Sequence, residues 1–505
     1  MADSRGITAA HVVLGSTYLT IRNVLSTLVA VFGFALMARL ISVEEMGAIA
    51  GLTLLTTLAP LFSDFGLTES MLKHVSEVKG RGESITETVA SALLFRTVMC
   101  LIVASAFFLL APTISEAVFK TSFYAYTIKL LSIDIIPLSI NSLLNSILLG
   151  AGRMKAIAFY GITSIAVRWI SITALLLAGA GLNGVIIGWI IGDLTPLPLL
   201  AAAVVKATGL RRQALKSVRQ QIPTLLRFAA PLYLSAIVAF IYVWYDKAVV
   251  LAYLSLTDLG IYNTTYQAFS ILVVIAMTLG SSLLPYYGMA YGKKDHAAIS
   301  SGIRRASRYT MLTIFPLTLG LLAAANPIIT LFAGKQYEEG WTVLATLSLF
   351  GLVYGLTPAL SNILLIYGKT KTILFISLIP VAASLLMLPL VLVMGLTGLA
   401  LMRGTGIVLS GLLTAYFVNR LVKIRFDWKA MIKSLASSTI MAITILILQL
   451  TLNNKNLLPL YTVVGAAIYF ATLRILRTLD REDAQLIENV IGKKYSKYIN
   501  KILNQ

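Results

Sequence analysis

Charged and amide side chains stand where the rest of the sequence is apolar, and they are the residues with chemistry to offer. Arg22, Arg96, Lys129, Arg168, Lys247 and Arg403 interrupt long hydrophobic runs, as do Asp64, Asp134, Asp193 and Asp246. An arginine near the middle of a membrane costs about 2.5–3.5 kcal/mol on insertion scales, so such a residue faces a wet cavity or a partner. Arg22 is the strongest case. Thr20, Asn23, Ser26 and Thr27 recur around it at helical spacing, which gives its segment a polar face suited to lining a cavity. Asp134, Asn141 and Asn145 fall at i, i+7 and i+11, one stripe of a second helix. Arg168, Asp193, Asp246, Lys247 and Arg403 complete the candidate set. In a wet cavity the guanidinium groups would bind an anion and the amides and hydroxyls would bind hydroxyl groups. The competing reading makes the same residues ion pairs and interhelical hydrogen bonds that hold a bundle together, with Asp246 and Lys247 as a local pair.

Catalytic and cofactor chemistry finds little support. The nearest approach to a phosphate-cradling loop is Gly368-Lys369-Thr370, and its leading position is Ile363 where glycine is required. His11, His74 and His296 lie too far apart for a metal-ligand spacing, and Cys100 is the single cysteine. No catalytic residue, metal or cofactor is therefore expected, and nothing in the sequence would bind a nucleoside triphosphate as an energy source.

The elements that position these residues follow from composition. Of 505 residues, 58% are hydrophobic and 12% charged, about half the charged share of a soluble domain. Fourteen apolar runs of about 20 residues, each long enough to cross a hydrocarbon core of roughly 30 Å, recur along the chain. They cover approximately 12–38, 47–67, 88–111, 124–149, 156–178, 182–205, 228–253, 259–285, 304–333, 340–366, 372–395, 398–420, 430–452 and 457–477. The short alternating segments of a β-barrel are missing. Arg22 and Asn23 interrupt the first run, which is thus expected to stay in the protein rather than leave as a signal peptide.

A net charge of +20 would suggest nucleic acid on a soluble chain. Here the basic residues sort by side. With the N-terminus cytoplasmic, only Arg39, Lys120, Lys335 and Lys455 fall outside and the six named above lie at membrane depth; all the others fall inside. The asymmetry predicts cytoplasmic N- and C-termini and removes the need for a nucleic-acid partner. In the tail Ile487, Ile491, Tyr495, Tyr498 and Ile502 recur at helical spacing among lysines, as in an amphipathic helix on anionic lipid or in an ordinary solvated helix.

Three pairs of segments repeat in order. Leu40-Ile-Ser-Val-Glu-Glu-Met-Gly47 matches Tyr253-Leu-Ser-Leu-Thr-Asp-Leu-Gly260, Ile147-Leu-Leu-Gly-Ala-Gly-Arg-Met-Lys155 matches Ile363-Leu-Leu-Ile-Tyr-Gly-Lys-Thr-Lys371, and Gly181-Leu-Asn-Gly184 matches Gly395-Leu-Thr-Gly398. Their offsets are 213, 216 and 214. Six spans separate each pair, so the halves run parallel about an axis along the membrane normal. The expected fold is an all-α polytopic membrane protein: a six-helix lobe at 1–206, another at 225–421, two additional helices at 428–477 and a cytoplasmic tail at 478–505. Rocking of the lobes would alternate access to a cavity between them.

With these features placed, the chain resembles the polysaccharide (Wzx-like) flippases of the multidrug/oligosaccharidyl-lipid/polysaccharide exporter superfamily. Ala38-Arg39-Leu40-Ile41-Ser42-Val43-Glu44-Glu45-Met46-Gly47 is similar to that family's A-R-x-L-G-P-E-E-x-G, although Ser42-Val43 replaces Gly-Pro. Asp64-Phe65-Gly66-Leu67 is similar to its D-x-G-L, and Asp246-Lys247 followed by Thr257-Asp258-Leu259-Gly260-Ile261-Tyr262 to the matching stretch of the second half. The resemblance implies fourteen helices and the flipping of lipid-linked oligosaccharides, on a polyprenyl or dolichyl phosphate or diphosphate, across the plasma membrane. Arg22, helped by Arg168 or Arg403, would bind the phosphate or acidic sugars, and glycan polymerase or transferase machinery would be a partner. A proton- or sodium-coupled exporter of small cationic compounds shares the architecture but would be dominated by buried carboxylates. A membrane glycan ligase would need a substantial outer loop, and every outer loop expected here is short.

Overall fold

A computed structural model of the chain describes residues 9–81, 83–210 and 218–478. Within them all regular structure is helical. The first ten helices are α1 (Ala9–Leu40), α2 (Val43–Asp64), α3 (Leu67–Gly80), α4 (Thr86–Leu109), α5 (Ala111–Phe119), α6 (Ala125–Gly150), α7 (Met154–Leu177), α8 (Gly181–Leu194), α9 (Leu197–Thr208) and α10 (Val218–Tyr253). There follow α11 (Leu256–Ser282), α12 (Leu284–Gly292), α13 (His296–Ala323), α14 (Ala325–Ala333), α15 (Trp341–Tyr354), α16 (Thr357–Ile366), α17 (Thr370–Leu385), α18 (Leu388–Leu421), α19 (Trp428–Leu452) and α20 (Leu458–Ile475). The amphipathic tail expected after residue 478 lies outside the described residues.

Among the described residues, eleven segments are long and apolar enough to cross a membrane, and two bent pairs raise the number to as many as thirteen. The remaining expected span, 372–395, falls on α17, whose 16 residues reach only about 24 Å. Large apolar side chains such as Phe32, Leu109, Val393 and Leu450 stand exposed on these helices, where hydrocarbon rather than water is the matching solvent. The chain is therefore a multi-pass membrane protein.

The structure breaks several runs that hydropathy reads as continuous. α13 and α14 meet at 79°, and the segment ending in α15 meets α16 at 42°. Pro196, Pro198, Pro327, Pro358 and Pro389 stand at or within the first turn of a helix, where a missing N–H costs least. Pro60, Pro137, Pro316 and Pro380 do lie inside helices. A further correction concerns the stretch between the expected spans 47–67 and 88–111, where no helix is expected. Residues 67–80 form α3, because Leu67, Met71, Val75 and Val78 make an apolar stripe that packs on Leu143, Leu144, Ile147 and Leu148 of α6.

The chain divides into two compact units, residues 1–260 and 261–505. Packing sets that boundary: α10, the seventh apolar run, lies against α2, α3 and α4 of the first unit. In the second unit, α13 packs on α19 and α15, and α19 on α20.

The paired sequence segments adopt matching local structures. Ser42 caps α2 by accepting from the Glu45 N–H at 3.2 Å, while the Glu45 carboxylate accepts from the Ser42 N–H at 3.0 Å. Ser255 and Asp258 make the same reciprocal pair at the start of α11, both at 3.0 Å. Gly152 and Gly368 both take φ near +70° after α6 and α16, with Arg153 N–H donating to Leu148 O and Lys369 N–H to Leu364 O. Gly181 and Gly395 share φ of +52° and +56°. The first pair also meets in space. A Cβ on Gly47 would fall 1.8 Å from the Leu256 carbonyl oxygen, and one on Gly260 would fall 2.1 Å from the Val43 carbonyl oxygen. The two helix starts thus cross glycine to glycine in a reciprocal contact.

That crossing predicts a contrast between two glycines. Gly47→Ala must push two backbones apart and should destabilise by about 1–3 kcal/mol, whereas Gly288→Ala in α12 meets open space and should leave stability unchanged or slightly raised. Thermal melting of the two purified variants in detergent checks this, and equal Tm values would refute the crossing.

Candidate functional site

Within the first unit, α1, α6, α7, α8 and α9 surround a cavity of about 430 Å³. α1 lines it with Arg22, Asn23, Ser26 and Thr27, the polar face anticipated from spacing. α6 contributes Leu138, Asn141, Ser142 and Asn145, and α7 contributes Tyr160, Gly161, Ser164, Ile165 and Arg168. Asp193, near the end of α8, and Pro196 and Leu200 beyond the helix break close the wall.

Glycine lets the large cations fit. A Cβ on Gly161 would fall 2.4 Å from the Arg22 Nε, so the guanidinium lies across bare α7 backbone. A Cβ on Gly192 would fall 2.5 Å from the Arg168 Cβ, so α8 approaches α7 directly at that point. Gly33 admits the Trp169 ring in the same way.

Arg168 is held. Its Nη1 stands 3.8 Å from Asp193 Oδ2 and its guanidinium lies 5.0 Å from the centroid of Trp189. Asn141 Nδ2 donates to the Asp193 carbonyl at 2.6 Å, tying α6 to α8, and Asn145 Nδ2 donates to the Asn141 carbonyl at 2.8 Å. Ser164 Oγ donates to the Gly192 carbonyl at 2.9 Å. Arg22 differs: it is half-buried, and no acidic or aromatic side chain contacts its guanidinium among the described residues.

The other basic groups at membrane depth meet protein partners. Arg96 Nη1 donates to Asp64 Oδ1 at 2.7 Å and its Nε to the Ser139 carbonyl at 3.2 Å, a buried pair that binds α2, α4 and α6 together. Lys129 lies 5.5 Å from the Phe108 ring centroid. Lys247 lies 4.2 Å from that of Trp244, while its backbone N–H donates to the Asp246 carboxylate at 2.9 Å. Arg403 belongs to the second unit, where Nη2 donates to the Tyr266 hydroxyl at 3.3 Å.

Of the eleven residues proposed from sequence, the structure gathers Arg22, Asn23, Asn141, Asn145, Arg168 and Asp193 around one cavity. Asp134 is buried one helical turn beyond the lining of α6. Thr20, Asp246 and Lys247 do not line this cavity, and Arg403 lies in the other unit. Sequence reasoning missed Tyr160, Ser142, Ser164, Gly161, Gly192 and Trp189. Charge drew attention to membrane-depth residues, whereas a serine or glycine in an apolar helix carries no comparable signal. The two glycines do recur beside small residues in their helices, the one hint available.

The wall offers two guanidinium groups against one carboxylate, with three amide or hydroxyl side chains from α1 and three more from α6. Such a lining suits an anion that also carries hydroxyl groups. Among the described residues, no three His, Cys, Asp or Glu side chains gather as metal ligands.

Comparison with known proteins follows the same direction. The chain is 21% identical over 477 residues to a probable low-salt glycan biosynthesis flippase, Agl15, of Haloferax volcanii, covering 93% of this chain and 97% of that one. In fold it is similar to the lipid II flippase MurJ in an inward closed conformation, with a TM-score of 0.75 at 17% identity over 90% of this chain and 98% of that one. It is also similar to a MATE family multidrug resistance transporter of the MOP superfamily, with a TM-score of 0.64 at 13% identity over 81% and 98% of the two chains. The model of one family, described as polysaccharide biosynthesis protein, matches residues 36–342, more than half of the length, and the chain with its polar intramembrane cavity belongs to that family.

Proposed function

We propose that the chain is a flippase, which carries a lipid-linked oligosaccharide from the cytoplasmic to the outer leaflet by alternating access. The observation that carries this reading is Arg22, a guanidinium in an apolar helix with no ion-pair partner among the described residues, facing a cavity whose polar lining adds amides and hydroxyls to the Arg168–Asp193 pair. A polar headgroup cannot cross hydrocarbon unaided, because burying its hydroxyls and phosphates unpaired costs several kcal/mol per group. Arg22 would engage a phosphate or acidic sugar, with Arg168 as a second, partly committed cation. Asn23, Asn141 and Asn145 would meet hydroxyls while the lipid tail stays in the bilayer.

The match to a probable glycan biosynthesis flippase over nearly the whole length supports this cargo class. The carrier would be a polyprenyl or dolichyl phosphate or diphosphate, and the product would feed surface polysaccharide or glycoprotein glycan synthesis. Glycan polymerases or transferases are the partners that such a product requires. The basic residues favour a plasma-membrane orientation with both ends cytoplasmic. The chain would move its substrate without altering it covalently.

One observation favours a second reading, a proton- or sodium-coupled exporter of small cations: Asp134 and Asp193 are both buried carboxylates. Arg22 and Arg168 outnumber the single acid on the cavity wall, so a cationic cargo would meet repulsion.

Two outcomes are expected. Arg22→Ala should abolish surface glycan at unchanged protein abundance, and Arg22→Lys should retain part of it, since lysine keeps the charge without the planar fork. Normal glycan in Arg22→Ala, or sensitisation to cationic drugs alone, would exclude the flippase reading. The cavity should also be wet. In a chain with Cys100→Ser, cysteines placed by Asn145→Cys and Ser164→Cys should react with a small charged thiol reagent, and one at Leu144, buried in the core, should not.

A further inference from the structure

In the second unit, α13, α19 and α20 enclose a groove of about 620 Å³. Leu317, Gly320, Met441, Ile445, Phe470 and Leu473 are among its lining, and no charged side chain is, among the described residues. Leu317 and Phe470 stand exposed at its lip, so it opens toward hydrocarbon. The sequence makes the groove with one proline and one glycine. Pro316 has no N–H to give the Leu312 carbonyl one turn back, and the Tyr469 hydroxyl of α20 donates to that carbonyl at 2.7 Å instead. One turn further, a Cβ on Gly320 would meet only the Met441 Cε, at 3.6 Å. α20 thus packs mainly on α19, bonds α13 near Tyr469 and leaves a gap beside it. The lining from Leu458 to Leu473 of α20 extends about 22 Å, most of a hydrocarbon core of roughly 30 Å.

One end of this groove is basic. Arg308 Nη2 of α13 donates to the Thr478 carbonyl at 2.8 Å, and Lys433 Nζ of α19 donates to the Arg477 carbonyl at 3.1 Å. The Thr478 N–H in turn donates to the carbonyl of Leu473, a lining residue, at 3.0 Å. Cations from two helices therefore converge on the backbone that ends the third. The carboxylate that faces them is Asp427, 3.3 Å from Arg308 and 3.9 Å from Arg304, and it also accepts the Ala430 N–H as the cap of α19. Arg304, Arg308, Lys433 and Arg477 outnumber it among the described residues. The excess lies on the side where the basic residues of the chain accumulate, and a leaflet of anionic lipid is their usual counterpart there.

We propose that this is a binding site for an anionic phospholipid of the bilayer, with its phosphate on Lys433 and Arg477 and one acyl chain along the groove between α13 and α20. An apolar groove alone would take any lipid chain, and a basic patch alone would take any anion; their junction at Leu473 selects an amphiphile that carries net negative charge at one end. Its chain would fill the gap beside Tyr469 and fasten α20 to α13. The flippase reading places the cargo's anion at Arg22 in the first unit, so this second anionic site goes beyond that reading and does not depend on it.

Native mass spectra of the purified full-length chain, titrated in detergent with palmitoyl-oleoyl phosphatidylglycerol or phosphatidylcholine, test the assignment. One phosphatidylglycerol should bind about tenfold or more tightly than phosphatidylcholine, and the double variant Lys433→Gln, Arg477→Gln should remove that preference. The same change of charge at the start of α17, Lys369→Gln with Lys371→Gln, should leave it intact. Gly320→Phe, which places a ring in the groove, should displace the lipid. Equal binding of the two lipids by the unmodified chain, which requires no variant to fold, would overturn the proposal. So would a preference that survives the loss of Lys433 and Arg477, one that falls equally in the α17 pair, or binding that survives Gly320→Phe. If polyprenyl phosphate displaces phosphatidylglycerol one for one, the groove belongs to the cargo's tail and the assignment fails. Arg22→Ala should keep phosphatidylglycerol bound, so that normal surface glycan in that variant counts against the flippase reading and not against this site.

Discussion

A guanidinium at membrane depth that pairs with no acid among the described residues constrains everything around it. Hydrocarbon offers neither hydrogen-bond acceptors nor counter-charge, so Arg22 requires water or an anion within reach. The fold meets this requirement by steric means. Gly161 removes a side chain from α7 where the guanidinium lies, Gly192 lets α8 close on α7 beside Arg168, and Pro196, where α8 gives way to α9, closes the wall. Without these glycines a large cation and three packed helices could not share the space.

Duplication explains the scaffold but not the chemistry. The reciprocal Ser-acid caps, the positive-φ glycines after α6 and α16 and the pair Gly181 and Gly395 repeat at nearly constant offset, because each fixes a turn that any such bundle needs. The cavity residues do not repeat. At the same offsets, Arg22 falls on Ser235, Asn141 on Thr357 and Asp193 on Ile407. The first unit thus concentrates the ionisable groups, and the second keeps Arg403 against Tyr266.

Much of this was legible in the sequence, and the misses share a cause. Hydropathy placed α1, α4, α6, α7, α19 and α20 within a few residues of their ends, because burial in hydrocarbon leaves a dense apolar signal. It merged α13 with α14 and α15 with α16, since an apolar run looks the same whether straight or broken, and only Pro327 and Pro358 mark the joints. It read α3 as loop because an amphipathic helix on the membrane edge is too polar for a span. The membrane-depth charges were visible as a set, but their pairing was not: Arg96 and Asp64 are 32 residues apart in sequence, and nothing in either segment announces the other. Arg22 stood out from spacing alone because its neighbours Asn23, Ser26 and Thr27 share its face.

The contrast between Arg22 and Arg168 bears on how a carrier can both bind and release. A cavity with two free guanidinium groups would hold a diphosphate strongly in a low dielectric, and strong holding favours the bound state over passage. Asp193, 3.8 Å from Arg168, and the face of Trp189 moderate one of the two charges. Removing that carboxylate would raise affinity for an anion while slowing its departure, so an acid beside the second arginine is as necessary to a transporter as the unpaired arginine that captures the cargo.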